Sequence, residues 1–293
     1  MADDTTIKLA NEDRHSSDPA EPGPVTVLRR EPLAPNIQLL TVRAPVVASK
    51  IQPGQFVILR ADEFGERIPL TVADWDTVEG SVSCVFMQVG TSTYKLGKLK
   101  AGDILPTFVG PLGKRLELDR WGTVLVAGGC YGIGSIYPVV RALKEKGNRV
   151  ISLIEGRSKF LLYWLDRLEA VSDQVLISAK DRSIGKSRDG PDAVKDLLDS
   201  GERVDRVIAI GCTFMMYQMA EATRPFSVKT IVSLNPIMID GTGMCGACRV
   251  SVAGETKFAC VDGPDFDGHQ VDWGLLLARR KAYLGPETDS GER

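Results

Sequence analysis

Hydrophobic and polar positions change rhythm once along this chain, near Trp121. Before it, short β-branched runs at residues 25–28, 37–42, 56–59 and 82–86 alternate with Pro/Gly turns such as Gln52-Pro53-Gly54-Gln55. Short strands so spaced predict a small β-barrel. After it, residues 123–127 form a buried-type run, a Gly-rich turn follows, and residues 136–146 carry helical spacing before a second run at 149–154. The alternation continues through 174–178, a helix around 193–198 and a run at 206–210, which predicts a parallel, doubly wound sheet. The remaining segment, 231 to about 271, is Gly-rich around three cysteines and too small for a core of its own, so a metal cluster would staple it. The expected division is a flexible tail over 1–23, a barrel over 24–118, an α/β domain over 119–230, a cluster segment over 231–273 and a C-terminal helix and tail over 274–293.

Composition excludes more than it selects. The 293 residues are 43% hydrophobic and 25% charged with a net charge of −2, so a packed core is feasible and no basic stripe favours nucleic acid. No apolar run approaches the roughly 18 residues that span a bilayer, nor is there an apolar signal stretch at the N-terminus. A soluble, cytoplasmic chain is expected. Of six cysteines, Cys84, Cys130 and Cys212 stand apart while three cluster, which suits reduced thiols, some holding metal, better than a disulfide framework.

The clustered cysteines carry the most specific chemistry. Asp240-x4-Cys245-x2-Cys248-x11-Cys260 reproduces the spacing of plant-type [2Fe-2S] ligands with a carboxylate in the first place. Glycines at 241, 243 and 246 would let backbone N–H groups approach the sulfurs. Three thiolates and one oxygen would also suit a structural zinc ion, and the ferredoxin-type spacing is the discriminator. Gly128-Gly129-Cys130-Tyr131-Gly132-Ile133-Gly134 lies between a predicted strand and helix, where backbone amides and the helix end could meet a pyrophosphate, although it is not the G-x-G-x-x-G fingerprint. In Arg67-Ile68-Pro69-Leu70-Thr71 a guanidinium could fork a phosphate and a hydroxyl could bond a flavin edge; alone, the pentapeptide is equally an edge strand. Gly90-Thr91-Ser92-Thr93 adds small hydroxyls and turn amides.

In that order, barrel, Arg-x-Pro-Leu-Thr, Gly-rich turn and C-terminal cysteines, the chain resembles the ferredoxin-NADP reductase superfamily. It is most similar to the branch of dihydroorotate dehydrogenase electron-transfer subunits, sulfide dehydrogenase small subunits and the α subunit of NADH-dependent reduced ferredoxin:NADP oxidoreductase. Val232-Ser233-Leu234-Asn235-Pro236-Ile237-Met238 before the cluster and Phe258-Ala259-Cys260-Val261-Asp262-Gly263-Pro264 after it look most like the last group. The resemblance implies FAD at Arg67, Pro69, Leu70 and Thr71, with Gly90, Thr91 and Thr93 near its pyrophosphate. It implies a nicotinamide nucleotide at Gly128, Gly129, Gly132 and Ile133. Gly211-Cys212-Thr213 occupies the strand end that usually faces the nicotinamide, so Thr71 and Cys212 are the candidate catalytic residues. Glu155 suits a free ribose 2′-OH and Arg157 a 2′-phosphate; Lys180, Arg182, Lys186 and Arg188 make the next loop more basic than the resemblance implies, and the resemblance itself favours NAD(H) over NADP(H). The implied partner is a larger flavin and iron-sulfur subunit resembling glutamate synthase small subunits, with ferredoxin reached through the complex and flavin-based bifurcation as its chemistry. Service to a dihydroorotate, sulfide or other dehydrogenase is the alternative, and a non-catalytic regulatory module a more distant one.

Overall fold

The computed structural model of the protein describes residues 24–184 and 189–281. The expected tail over 1–23, the basic Lys186 and Arg188, and the chain beyond 281 lie outside the described residues. Strands β1 (Val25–Ala34), β2 (Ile37–Arg43), β3 (Phe56–Arg60), β4 (Ile68–Asp76), β5 (Ser81–Met87), β6 (Ile104–Leu105) and β7 (Thr107–Leu112) make one antiparallel sheet in the order β6-β1-β2-β5-β4-β3-β7. Its two edges, β6 and β7, are separated only by Pro106, so the sheet curls into a nearly closed barrel. Short helices α1 (Pro45–Ala48) and α2 (Thr91–Leu96) bridge its strands. Val27, Leu40, Val57, Leu59, Val72, Val82 and Phe86 fill it.

Five parallel strands follow: β8 (Thr123–Gly129), β9 (Arg149–Gly156), β10 (Gln174–Ala179), β11 (Arg206–Ile210) and β12 (Thr230–Ser233). They are connected by α3 (Gly132–Glu145), α4 (Leu165–Glu169), α5 (Gly190–Asp199) and α6 (Thr213–Thr223). The order β10-β9-β8-β11-β12 reverses between β8 and β11, and β15 (Asp265–Asp267) adds antiparallel to β12. The break expected at residue 231 therefore falls inside β12, and the cysteine segment is stitched to the sheet at both ends. Between them lie the hairpin β13 (Arg249–Val252) and β14 (Glu255–Phe258), and α7 (Trp273–Lys281) closes the described chain.

The expectation that the cysteine segment lacks a core of its own is met by sharing. Cys248, Val250, Cys260, Trp273 and Leu276 are buried in one cluster with Met215, Met216 and Met219 of α6, so those methionines serve packing. On the opposite face of the parallel sheet, Ile133 and Ile136 of α3 pack with Ala73 and Val85 of the barrel. Asp74 of β4 accepts hydrogen bonds from Arg141 and Arg167, which ties the barrel to α3 and α4. Among the described residues no helix is long and apolar enough to cross a membrane.

Candidate functional site

Barrel, parallel sheet and cysteine segment meet around one cleft of about 260 Å³. Its barrel wall exists because β4 and β5 part company. Val72 to Asp76 pair with β5, but Ile68 to Leu70 and Thr71 pair only with β3 on the other side. The strand is therefore interior, not the edge that a proline suggests, and Pro69 is tolerated where the second ladder is missing. Pro69, Leu70, Thr71, Val85, Phe86, Met87 and Thr93 line the resulting slot. The slot suits a flat ring held by apolar faces and backbone edges. Thr71 is half-buried there, and Arg67 is exposed just before the strand, outside the lining.

Gly90 and Thr91 open α2, as the small residues suggested. The Thr93 hydroxyl, however, accepts the N–H groups of Val89 (3.0 Å) and Gly90 (3.1 Å), so it is spent on building the turn that would receive a phosphate.

The opposite wall stands at the point where strand order reverses, the place where open α/β sheets bind ligands. Gly128 and Gly129 belong to β8, Cys130 and Tyr131 make the turn with Cys130 at φ +53°, and α3 begins at Gly132. A Cβ on Gly132 would lie 2.0 Å from the Ile210 carbonyl oxygen, so the helix can start this close to β11 only on a glycine. Tyr163 locks the turn from below: its hydroxyl accepts the Gly134 N–H (3.0 Å) and donates to the Cys130 carbonyl (3.0 Å). Burial pushes the Tyr163 phenol up.

A second network had no local signal in the sequence. Asn235 Nδ2 donates to the Tyr131 hydroxyl (2.6 Å) and the Gly211 carbonyl (3.1 Å), and its Oδ1 accepts from Thr213 Oγ1 (2.7 Å). Arg280 of α7 donates to Thr213 and Asn235 at the same place. Tyr131, Gly211, Asn235 and Arg280 all line the cleft, and burial pushes the Tyr131 phenol up to about 12. Cys212 is exposed at the start of α6 and is not among the cleft-lining residues. It lies near enough to Cys130 to act, after burial, in raising that thiol.

Glu155, next to last in β9, has its carboxylate buried against Gly129 and accepts the Gly190 N–H at 2.7 Å. Burial raises its carboxyl and the Gly190 bond opposes the rise. That carboxylate is thus already engaged with the N-terminus of α5, whereas Arg157, Lys180 and Arg182 are exposed around the same strand ends.

Three of the expected cluster ligands, Asp240, Cys245 and Cys248, lie in the loop before β13, Cys260 follows β14, and the four fall into two pairs. Cys248 and Cys260, both buried, hold their sulfurs 3.2 Å apart. Asp240 accepts the backbone N–H groups of Thr242, Met244 and Cys245 (2.8–3.1 Å) and faces the Cys245 thiol, which is exposed. Burial raises the Asp240 carboxyl, but the N–H groups of Cys245, Thr242 and Met244 outweigh it and hold it at about 2. Burial, then the Cys248 thiol, pushes Cys260 up to about 12 against a Gly243 N–H aimed at its sulfur. Gly241, Gly243 and Gly246 all have left-handed backbones, at φ +76°, +84° and +65°. Among the described residues no three His, Cys, Asp or Glu side chains gather around a single ion. Three thiols and a carboxylate, with the Gly243 N–H directed at one sulfur, are a donor set that suits an iron-sulfur cluster.

Comparison with known proteins agrees with this geometry. The iron-sulfur cluster binding domain of dihydroorotate dehydrogenase B matches residues 235–272. A Thermotoga maritima homologue of the dihydroorotate dehydrogenase B (NAD(+)) electron transfer subunit is 43% identical, over 91% of this chain and 94% of its own. A probable subunit of the same kind from Methanopyrus kandleri is 31% identical over 73% of this chain and 79% of its own. Among solved structures, a chain from the NADH-dependent reduced ferredoxin-NADP oxidoreductase, determined for insight into flavin-based electron bifurcation, superposes with a TM-score of 0.87. It is 40% identical and covers 94% of this chain and 99% of that one. An Amycolatopsis cytochrome P450 reductase, 19% identical with a TM-score of 0.60 over 70% of this chain and 66% of its own, shares the fold.

Proposed function

The chain belongs to the family of dihydroorotate dehydrogenase B electron-transfer subunits, and from that premise we propose that it passes electrons from NAD(H) through FAD to a [2Fe-2S] cluster. The observation that carries the reading is the single cleft shared by the parted β4–β5 slot, the β8–α3 turn and the segment bearing Asp240, Cys245, Cys248 and Cys260. A bound FAD would supply the chemistry that joins a two-electron hydride donor to a one-electron cluster.

The protein's own residues supply positions, not acid–base chemistry. Thr71, Pro69 and Leu70 fix the flavin edge in the slot, and Arg67 with the amides of Gly90 and Thr91 meets its phosphates. Gly128, Gly129, Gly132 and Ile133 let the nucleotide pyrophosphate approach the α3 N-terminus. Tyr131, Asn235 and Arg280 hold the nicotinamide side of the cleft, a role that replaces direct participation by Cys212 as the leading assignment. Glu155 acts on the nucleotide by fixing the α5 N-terminus, and Arg157 stands at the exposed rim. Asp240, Cys245, Cys248 and Cys260 would hold the cluster, with the Gly243 N–H directed at the Cys260 sulfur.

The partner is a larger flavin and iron-sulfur subunit, and the complex bifurcates electrons between NAD(H), NADP(H) and ferredoxin. The 40% identity and near-complete coverage of the oxidoreductase chain favour that complex. The second reading, service to a dihydroorotate dehydrogenase, is favoured by the Thermotoga and Methanopyrus relatives. Anaerobic absorption and EPR spectra of the purified complex, titrated separately with NADH and NADPH, test the proposal. NADH should bleach the flavin and raise a reduced [2Fe-2S] signal; a flavin that NADH leaves oxidised defeats it. Copurification with a dihydroorotate-oxidising subunit would move the assignment to the second reading.

A further inference from the structure

We propose that Asp265 is the internal proton acceptor of the cleft, reached through Ser233. Asp265 begins β15 and stands opposite Ser233 in the pairing with β12. The residue is half-buried as a whole, but both carboxylate oxygens are sealed from solvent and neither makes a hydrogen bond. An ionised carboxylate left so is among the costliest groups a protein can bury, so its presence needs a reason. Ser233 is the polar side chain facing it, and both Ser233 and Pro264, next to Asp265 in the chain, line the cleft. From the barrel, the β2–β3 turn presses Gly54 against the carboxylate: a Cβ there would stand 2.8 Å from Oδ2.

No other charge explains the carboxylate. Lys114 and Arg115, on the barrel segment beside Gly54, are exposed. On its own strand and the preceding loop, Asp267 accepts the His269 N–H and Asp262 the Phe258 N–H, while His269 Nε2 is bonded to Thr223. Burial alone raises Asp265, to about 7, and Ser233 only tempers it. A group poised there can both hold and release a proton near neutral pH.

The inference rests on the flavin reading above. Hydride transfer gives the flavin two electrons and one proton; when two electrons then leave singly for the iron-sulfur cluster, the proton on flavin N5 must leave too. The N5–H bond breaks toward Ser233 Oγ as the Ser233 proton passes to Asp265, where an O–H bond forms. The flavin is oxidised by two electrons, which the cluster takes one at a time, a one-electron acceptor beyond the cluster removing the first before the second arrives.

Asp265→Asn removes the acceptor and keeps the shape. In the loaded complex, reduced anaerobically by dithionite and reoxidised by a one-electron oxidant in stopped flow, the wild type should reoxidise faster as pH rises through neutrality. Asp265→Asn should lose that inflection and slow by roughly tenfold or more. Reduced-minus-oxidised infrared spectra should show a carboxylic-acid band in the wild type that Asp265→Asn abolishes. Ser233→Ala should lose the same pH dependence, and it carries the test if Asp265→Asn fails to load. A variant with the wild-type pH profile, or a wild type without the band, overturns the proposal. Because dithionite supplies the electrons, failure of NADH to bleach the flavin counts against the nucleotide reading and leaves this test standing; failure to take up flavin is seen in the absorption spectrum first and overturns both.

Discussion

The turn after β8 and the loop around the cysteines are both rich in glycine, and they use it for opposite reasons. In the turn the positive φ belongs to Cys130, and the glycines matter because no Cβ fits: Gly132 would strike the Ile210 carbonyl at 2.0 Å and Gly134 the Val85 side chain at 2.6 Å. In the loop, a Cβ on Gly246 would meet only the far end of the Arg249 side chain at 3.3 Å and the Phe258 ring at 3.6 Å, but its φ is +65°. Gly132 and Gly134 are limited by packing and Gly246 by backbone conformation, while Gly241 carries both limits, with a left-handed φ and a Cβ position 2.7 Å from Ile58 and Leu112. Substitutions should therefore separate the two sites: Gly132 fails on any added atom, whereas Gly246 tolerates atoms that tolerate a left-handed backbone.

The largest effect is expected at Gly132→Ala. The clash is with backbone, which no rotamer relieves, so α3 must move from β11 at a cost of at least roughly 3 kcal/mol. Denaturant unfolding would read that loss, and NADH affinity should fall more than tenfold while the cluster EPR signal persists in whatever protein folds. Normal affinity would mean the turn is not packing-limited. The mirror experiment is Cys248→Ser, which should abolish the reduced cluster signal and leave flavin reduction by NADH intact. An unchanged EPR spectrum would remove Cys248 from the ligand set.

Why these two regions were unequally legible follows from the same contrast. Cluster spacing is a property of nearby residues, so Asp240, Cys245, Cys248 and Cys260 could be picked out without a fold; the first three lie in the loop before β13, and the β13–β14 hairpin returns Cys260 to Cys248. Barrel and parallel sheet were visible in the runs at 37–42, 56–59, 149–154 and 206–210, because buried strands declare themselves by composition. What was hidden depended on distant partners. Pro69 reads as an edge strand until the parting of β4 from β5 is seen. Tyr131 and Asn235 are 104 residues apart, and Arg280 arrives from the last described helix, so no window contains their network. Asp265 sits in an acidic stretch that looks solvated, and only the β12 pairing and Gly54 seal its oxygens.

A smaller effect sharpens the loop side of the comparison. Gly246→Ala should cost about 1–2 kcal/mol, the penalty of a left-handed backbone with a Cβ, and should lower the temperature at which the cluster signal is lost. Gly246→Asn should recover part of it, since asparagine tolerates that conformation. Equal losses for the two would show that space, not backbone angle, governs the loop.

The smallest expected effect tests the turn without adding an atom. Tyr163→Phe leaves the ring packed but deletes the hydroxyl that accepts the Gly134 N–H and donates to the Cys130 carbonyl. Losing one buried hydroxyl while its partners stay in place costs about 1 kcal/mol in stability. The sharper readout is binding, because the Cys130 carbonyl then loses the anchor that fixes the left-handed turn residue beside the α3 N-terminus. NADH affinity should fall by roughly threefold to tenfold, the same order as that lost bond. The rate of flavin reduction at saturating NADH should stay unchanged, since Tyr163 is not itself among the residues lining the cleft. A fall in the saturated rate with affinity preserved would instead place the hydroxyl in the geometry of hydride transfer, and the turn would be more than a packing device.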